Sequence, residues 1–196
     1  MMSSHQEMKA FNGEHQAKKT NNDVEGIIFK SLSIHFFPKG LHKVFPNLKT
    51  VRVVQCGLKE ISRADLIGLE NILTLDLSGN HLKLIPDDLF EGMKNLQWID
   101  LSVNKIEFFS SQVFGSLLSN QLVWIDIRRN PTMNEVYSSN IINPVAPFIS
   151  FMGLMRMIDF RCKKPPKNLQ EKETPIEKFR NKVMRGLEDF WTTGQF

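Results

Sequence analysis

Leucine and other apolar residues recur through the middle of the chain in one fixed pattern, LxxLxLxxNxL. Residues 72–82 read ILTLDLSGNHL and residues 96–106 read LQWIDLSVNKI. The stretches 48–58 and 122–132 follow the same pattern, and 24–34 follows it more weakly. Residues 32, 56, 80, 104 and 130 occupy the asparagine position, so the copies are 24, 24, 24 and 26 residues apart. Near-constant spacing of this kind is typical of a repeat protein in which each copy forms one coil.

Within each copy, the LxLxx stretch alternates apolar and other residues and therefore predicts a short strand with its leucines facing inward. The asparagine that follows can hydrogen-bond backbone groups at the turn where the chain leaves the strand. The second half of each copy, such as IPDDLFEGMKNL at 85–96, would return the chain and fill the interior. Because one coil cannot bury its apolar face alone, the coils must stack into a continuous core and a parallel sheet.

These residues resemble the leucine-rich-repeat family, specifically its typical class of 24-residue repeats, over about residues 24–132. The stretches HFFPKGLHKVFPNL, CGLKEISRADLIGLENI and GLMRMIDFRCKKP are further similar to short extracellular members of the family from insects, dipterans in particular. The resemblance implies an α/β solenoid of about five repeats, with parallel strands on a concave face that binds a protein or a glycan. It also implies an extracellular location, although the opening MMSSHQEMKAFNGEHQ lacks a signal-peptide pattern.

The repeat template predicts which strand side chains point outward on that face. One column is Thr50, Thr74, Trp98 and Trp124, and the next is Arg52, Asp76, Asp100 and Asp126. Because adjacent strands lie about 4.8 Å apart, Trp98 and Trp124 should be neighbours. Exposed tryptophans in contact are unusual unless they bind something or are covered. The two tryptophans therefore either form a partner-binding site or lie beneath the C-terminal segment.

The acidic column is the second candidate feature of this face. Asp76, Asp100 and Asp126 would raise one another's pKa unless a cation lies near, and a cationic partner surface would relieve the repulsion. Alternatively the aspartates serve the fold, because LDLS is close to the generic repeat consensus. Arg52 and Arg128 complete the candidate partner-binding residues, and Arg128 belongs to a basic end of the face.

Composition excludes several other classes of function. The net charge of +4 lies entirely in residues 161–196, with 9 basic and 5 acidic residues, which is typical of a solvated tail rather than a nucleic-acid-binding surface. No apolar run is long enough to span a membrane. The histidines fall in no metal-binding pattern, and there is no phosphate loop or nucleophile motif. We therefore expect a binding protein without catalytic residues, metal or cofactor.

The two cysteines do not suggest a disulfide. Cys56 replaces an asparagine of the repeat and should point into the coil as a buried, inert thiol. Cys162 lies beyond the last repeat, more than three strand spacings away, which exceeds the roughly 7 Å limit for a bridge.

The segments outside the repeats differ in composition. Residues 1–23 are polar and predict disorder. Residues 133–160 are apolar and should cap the last coil, with a short helix over 150–160. Residues 161–173 read as a linker with two prolines, and 174–196 as an amphipathic helix. That helix could pack on its own body, pair with a partner helix or lie on a membrane. It leaves open a second function, a structural or self-associating protein that forms homo-oligomers.

Overall fold

A computed structural model of the 196-residue chain describes residues 18–117, 122–139 and 151–161. One sheet contains six strands in chain order: β1 (Gly26–Lys30), β2 (Thr50–Val54), β3 (Thr74–Asp76), β4 (Trp98–Asp100), β5 (Trp124–Asp126) and β6 (Val136–Ser138). The described α-helices are α1 (Leu41–Val44) and α2 (Phe151–Arg161). Short 3-10 helices cover Asn21–Asp23, Arg63–Asp65 and Ser111–Leu117. The repeated part is an α/β solenoid, as predicted.

The strands β1 to β5 are parallel, and their register follows the repeat period. Thr50 pairs with Thr74, Thr74 with Trp98, and Trp98 with Trp124. The residue after each of these positions points inward and is fully buried, as Val51, Leu75, Ile99 and Ile125 show. The alternation read from the sequence therefore fixes both the pairing of the strands and the side of the sheet that faces the core.

The last strand, β6, was not predicted and runs antiparallel to β5. After Asn130 the chain reverses in a tight turn, in which the Asn130 amide donates to the Met133 carbonyl oxygen at 3.1 Å. The Ile127 amide then donates to the Glu135 carbonyl oxygen at 3.0 Å. A return this short cannot make the long crossover that a parallel strand needs, so the chain pairs back on itself.

The two ends of the core are covered to different degrees. At the C-terminal end, α2 coincides with the predicted short helix and buries Leu154 and Ile158 completely. At the N-terminal end, the inward-facing Ile27 and Phe29 of β1 remain partly exposed, and the outward-facing Ile28 is 57% exposed. The corresponding inward residues of β2 to β5 are fully buried, so the first coil is the least covered part of the repeated body.

The prediction of disorder over 1–23 is wrong at its C-terminal end. Asn21–Asp23 form a 3-10 helix, capped because the Thr20 amide donates to Asp23 Oδ2 at 2.8 Å. The Asn47 side-chain amide also donates to the Asn22 carbonyl oxygen at 2.8 Å. These local bonds order a polar stretch that buries no apolar side chain.

Several other predictions concern residues beyond the described ranges. Residues 1–17, the linker after Arg161, Cys162 and the helix predicted over 174–196 lie outside the described residues. They stay predictions.

Asparagine side chains join each coil to the one before it. Asn80 Nδ2 donates to the carbonyl oxygens of Val53 and Leu77, at 2.6 and 2.8 Å. Its Oδ1 accepts from the amides of Cys56 and Leu58, at 3.0 and 3.1 Å. Asn104 and Asn130 repeat the pattern with their own neighbours. The predicted turn role is confirmed, and it extends between coils.

A thiol takes the asparagine's position in the second repeat. Cys56 is buried and free, which confirms the predicted burial. Its Sγ donates to the carbonyl oxygens of Phe29 and Val54, at 3.4 and 3.2 Å. These are the same kinds of acceptor that the Asn80 amide uses, so Cys56 keeps part of the asparagine's bonding with a weaker donor.

One residue of each turn after the strand has a left-handed backbone. These residues are Ser31, Gln55, Gly79, Val103 and Arg129, with φ between 54° and 70°. Only Gly79 is free of the resulting steric cost. Val103 is the least suited, because a β-branched side chain at positive φ is a genuine outlier.

Val103→Gly should therefore raise the free energy of unfolding by about 0.5–1 kcal/mol, since relief of the left-handed strain exceeds the entropy cost of glycine. Val103 is 45% exposed, so little core is lost. Urea denaturation would measure the change. Gly79→Val is the matched reversal and should be destabilising, because a Cβ there meets Gln55 Cγ at 2.8 Å. Destabilisation by Val103→Gly would contradict the strain.

Candidate partner-binding face

The outward side of the sheet carries two adjacent tryptophans, here called the tryptophan stack. Trp98 of β4 and Trp124 of β5 are in register, and their ring centroids lie 4.8 Å apart with planes within 12°. Trp98 is 41% exposed and Trp124 is partly buried. The predicted contact is confirmed. Thr74 borders the stack on one side and Ser138 on the other, so the two large rings stand between two short side chains.

The strand alternation holds the stack in place. Ile99 and Ile125 follow the two tryptophans and are fully buried, so the neighbouring indoles must leave the opposite side of the sheet. Because each strand is anchored by such core residues, the rings are held parallel before any partner arrives. Side chains with few rotatable bonds that are already ordered lose little entropy on binding.

Charged side chains form a row next to the stack. We call the set Arg52, Asp76, Asp100, Asp126 and Arg128 the charged row. Its first four members are direct neighbours across β2 to β5, as the repeat template predicted. Arg52 Nε donates to Asp76 Oδ2 at 2.8 Å. At the other end, Arg128 Nε donates to Asp126 Oδ1 at 3.0 Å and Nη2 donates to Oδ2.

The basic end predicted at Arg128 is therefore corrected: this guanidinium folds back onto the carboxylate two residues earlier in its own chain. Arg128 lies two residues after Asp126, which is close enough for its guanidinium to form a bidentate pair with that carboxylate.

The aspartates also serve the fold, which was the alternative reading of the acidic column. Asp76 Oδ1 accepts from the Ser78 amide and Asp100 Oδ1 from the Ser102 amide, both at 2.9 Å. Each bond closes the first residues of the turn after the strand. A role in the turn and a role at the surface are compatible, because each carboxylate has a second oxygen.

The repeats match a known family. The profile described as "Leucine rich repeat" matches residues 46–106 and 70–131. Residues 46–131 are therefore leucine-rich repeats. No curated protein matches this leucine-rich-repeat chain in sequence.

Two solved structures of the Drosophila Toll–Spatzle complex resemble its fold. The first matches with 23% identity over 57% of this chain and a TM-score of 0.51. The second, of the glycosylated form, matches with 24% identity over 58% and the same TM-score. In both cases the match spans 15% of the other chain, so the likeness concerns the repeat architecture alone.

Asp100 differs electrostatically from the other members of the charged row. Burial raises its pKa, the Ser102 hydrogen bonds oppose that rise, and the charges of Asp76 and Asp126 add to it. The mutual repulsion expected from the sequence thus contributes to the raised pKa of Asp100, but burial is the larger cause of that rise. Within the described residues, no cation forms an ion pair with Asp100. Its charge is the least compensated in the row.

A raised pKa makes the ionised Asp100 a cost to the folded state. The protonated carboxyl is favoured on folding, so this contribution is favourable below the unfolded pKa of 3.8 and is lost as the pH rises through the folded pKa. Asp100→Asn should therefore stabilise the protein at pH 7, by at most about 0.5 kcal/mol because solvent screens the group. The gain should vanish below pH 3.8, in urea unfolding measured across pH. A pH-independent gain would contradict the electrostatic cause.

Other chemistry is not indicated in the part of the chain that is described. No group of three or more His, Cys, Asp or Glu residues there could hold a metal ion, so the three aspartates in line do not converge on a point. No helix in the same ranges is long and apolar enough to cross a membrane.

Proposed function

We propose that this leucine-rich-repeat protein is a protein-binding module that works through the outward face of its sheet, the concave face expected for this family. The observation that carries the proposal is the exposed tryptophan stack, held rigid on the sheet. Partner-binding residues would be Trp98 and Trp124, with the charged row Arg52, Asp76, Asp100, Asp126 and Arg128 beside them.

The physical properties of the stack support a role in binding. Large aromatic side chains bury much area with little loss of entropy, and tryptophan is enriched among the residues that dominate interface energies. The similar Toll chain was solved in a complex with Spatzle, so a protein of this fold provides a precedent for the proposal. The carboxylates next to the stack would favour a partner with basic residues and would mainly accelerate association.

Catalysis is not part of the proposal. The two buried aspartates of the row are engaged in ion pairs and in hydrogen bonds from turn amides. Leucine-rich-repeat folds of this kind are typically not enzymes. Binding to a surface needs no reactive group, only the shape and charge that the sheet supplies.

Affinity capture with the intact chain tests the proposal. The double variant Trp98→Ala, Trp124→Ala should lose the captured protein, and the double variant Ile67→Ala, Leu84→Ala should retain it. Ile67 and Leu84 are 61% and 48% exposed and lie outside the strands of the sheet, so they control for loss of exposed apolar surface.

Treatment of the captured material with glycosidases separates a protein ligand from the glycan that the family resemblance also names. Equal capture by wild type and the tryptophan double variant would refute the use of this face. Self-association through residues 174–196 would then be the remaining candidate. It predicts that the intact chain forms oligomers and that the chain without residues 174–196 is monomeric.

A further inference from the structure

The charged row contains one carboxylate more than its arginines neutralise. Arg52 is paired with Asp76 at 2.8 Å. Arg128 is paired with Asp126 through two guanidinium nitrogens. Asp100 lies between the two paired aspartates and forms no ion pair among the described residues, although its charge contributes to the raised pKa of the Arg128 guanidinium. The charged row therefore has a net charge of −1, and the carboxylate without an ion pair, Asp100, lies on β4 between the aspartates of β3 and β5.

The tryptophan stack places a flat aromatic surface beside that charge. Trp98 precedes Asp100 by two residues on β4, so both side chains leave the same side of the sheet. Trp124 covers one face of the Trp98 indole. On the other side the neighbouring strand carries the short Thr74, and Trp98 remains 41% exposed. The indole and the carboxylate thus lie side by side on β4, and together they form the arginine site considered below.

We infer that Trp98 and Asp100 together receive one arginine side chain of the protein partner. This inference rests on the proposed function and specifies the chemistry of the partner. A guanidinium is planar, so it can stack on the exposed part of the Trp98 indole. Its N–H groups lie in the same plane and can donate to the Asp100 carboxylate while it stacks.

A lysine ammonium fits the site formed by Trp98 and Asp100 less well. It is compact and strongly hydrated, and it has no flat face to lay on the indole. It would have to give up water to approach the ring and the carboxylate together. The geometry therefore favours arginine over lysine, and a neutral analogue of arginine would keep hydrogen-bond donors but lose the charge attraction to Asp100.

The surroundings of Asp100 explain why a bound cation would be favourable next to it. Burial and the two flanking aspartates, from β3 and β5, raise the pKa of Asp100, and the Arg128 guanidinium is already engaged by Asp126. An arriving guanidinium offsets the repulsion that the free protein retains. Binding requires the ionised carboxylate, so affinity should rise with pH through the pKa of Asp100 and fall on acidification.

Short peptides test the inference directly on the full chain. The probes are acetylated and amidated Gly-Gly-Arg-Gly-Gly and its analogues with citrulline or lysine in place of arginine. Each of the three tryptophans has one indole N–H, so nitrogen-15 NMR follows Trp98 separately from the others. The arginine peptide should shift the Trp98 signal saturably, and the citrulline peptide should bind about tenfold more weakly or worse. The lysine peptide should fall between them.

Two matched variants complete the test. Asp100→Asn keeps the shape of the side chain and should weaken the arginine peptide about tenfold. Asp88→Asn removes an exposed carboxylate outside the strands and should leave the affinity unchanged. No saturable shift with the arginine peptide, equal affinity for the citrulline analogue, or an unaffected Asp100→Asn would each overturn the inference.

Failure of this inference is distinguishable from failure of the proposed function. If the tryptophan double variant loses the captured protein but arginine and citrulline peptides bind alike, the face binds a partner without an arginine at Asp100. If the arginine peptide binds at Asp100 while the double variant captures protein normally, the arginine site exists and the proposed function is wrong.

Discussion

Asn80→Leu should lower the free energy of unfolding by about 3 kcal/mol, the largest loss we expect from a single substitution outside the apolar core. The Asn80 side chain makes hydrogen bonds to backbone groups of its own coil and of the preceding one. Leucine would remove the side-chain partner of the Cys56 and Leu58 amides and of the Val53 carbonyl, whereas the Leu77 carbonyl would keep its bond from Asn104. Each buried group that loses its partner costs free energy. Urea denaturation followed by circular dichroism would measure the loss.

The control for Asn80→Leu is Asn71→Leu, at the end of the preceding repeat. Asn71 is exposed, and its side chain is bonded to that of Asn95 at 3.2 Å rather than to buried backbone. It should change stability by less than about 0.5 kcal/mol. Equal effects of the two substitutions would show that the bonds between coils contribute little.

Trp98→Ala should weaken binding of the captured protein by about 2 kcal/mol or more, while the protein stays folded. The indole is outward and partly exposed, so its removal leaves no cavity in the core. It would also remove the ring against which Trp124 stacks, so Trp124→Ala should have a similar effect. Surface plasmon resonance with the captured protein would give the change in Kd.

A salt series separates the aromatic and charged contributions to binding. Asp100→Asn should reduce the salt dependence of the association rate and lower affinity less than Trp98→Ala does. Normal binding by the tryptophan variants, or their unfolding in a thermal melt, would contradict the assignment of the stack to the binding face. An unfolded variant would place the indoles in the core instead.

The repeat period determined most of the architecture. Apolar residues at fixed positions in each 24-residue unit fix which side chains are buried, because the alternation along a strand allows only one face to meet the core. The same period predicts that Trp98 lies next to Trp124 and that Asp100 lies between Asp76 and Asp126, since parallel coils place equivalent residues side by side. The asparagine positions followed from the same template.

Features outside the period depended on the tertiary structure. The antiparallel β6 arises from a turn at Asn130 that has no counterpart in the other copies. The order of Asn21–Asp23 depends on a bond from Asn47 in the next coil, which composition does not reveal. The left-handed backbone at Val103 is imposed by the turn that every coil shares, against the preference of the side chain.

The charge pattern of the binding face was likewise decided in three dimensions. The sequence placed three aspartates in a column with an arginine in line and another nearby, but it did not say which carboxylates the arginines would reach. Arg52 reaches across to the next strand, whereas Arg128 folds back onto its own. Long flexible side chains choose among acceptors by distance and geometry, which a linear pattern does not contain. Only the folded sheet, therefore, singles out Asp100 as the carboxylate beside the tryptophan stack that has no ion pair among the described residues.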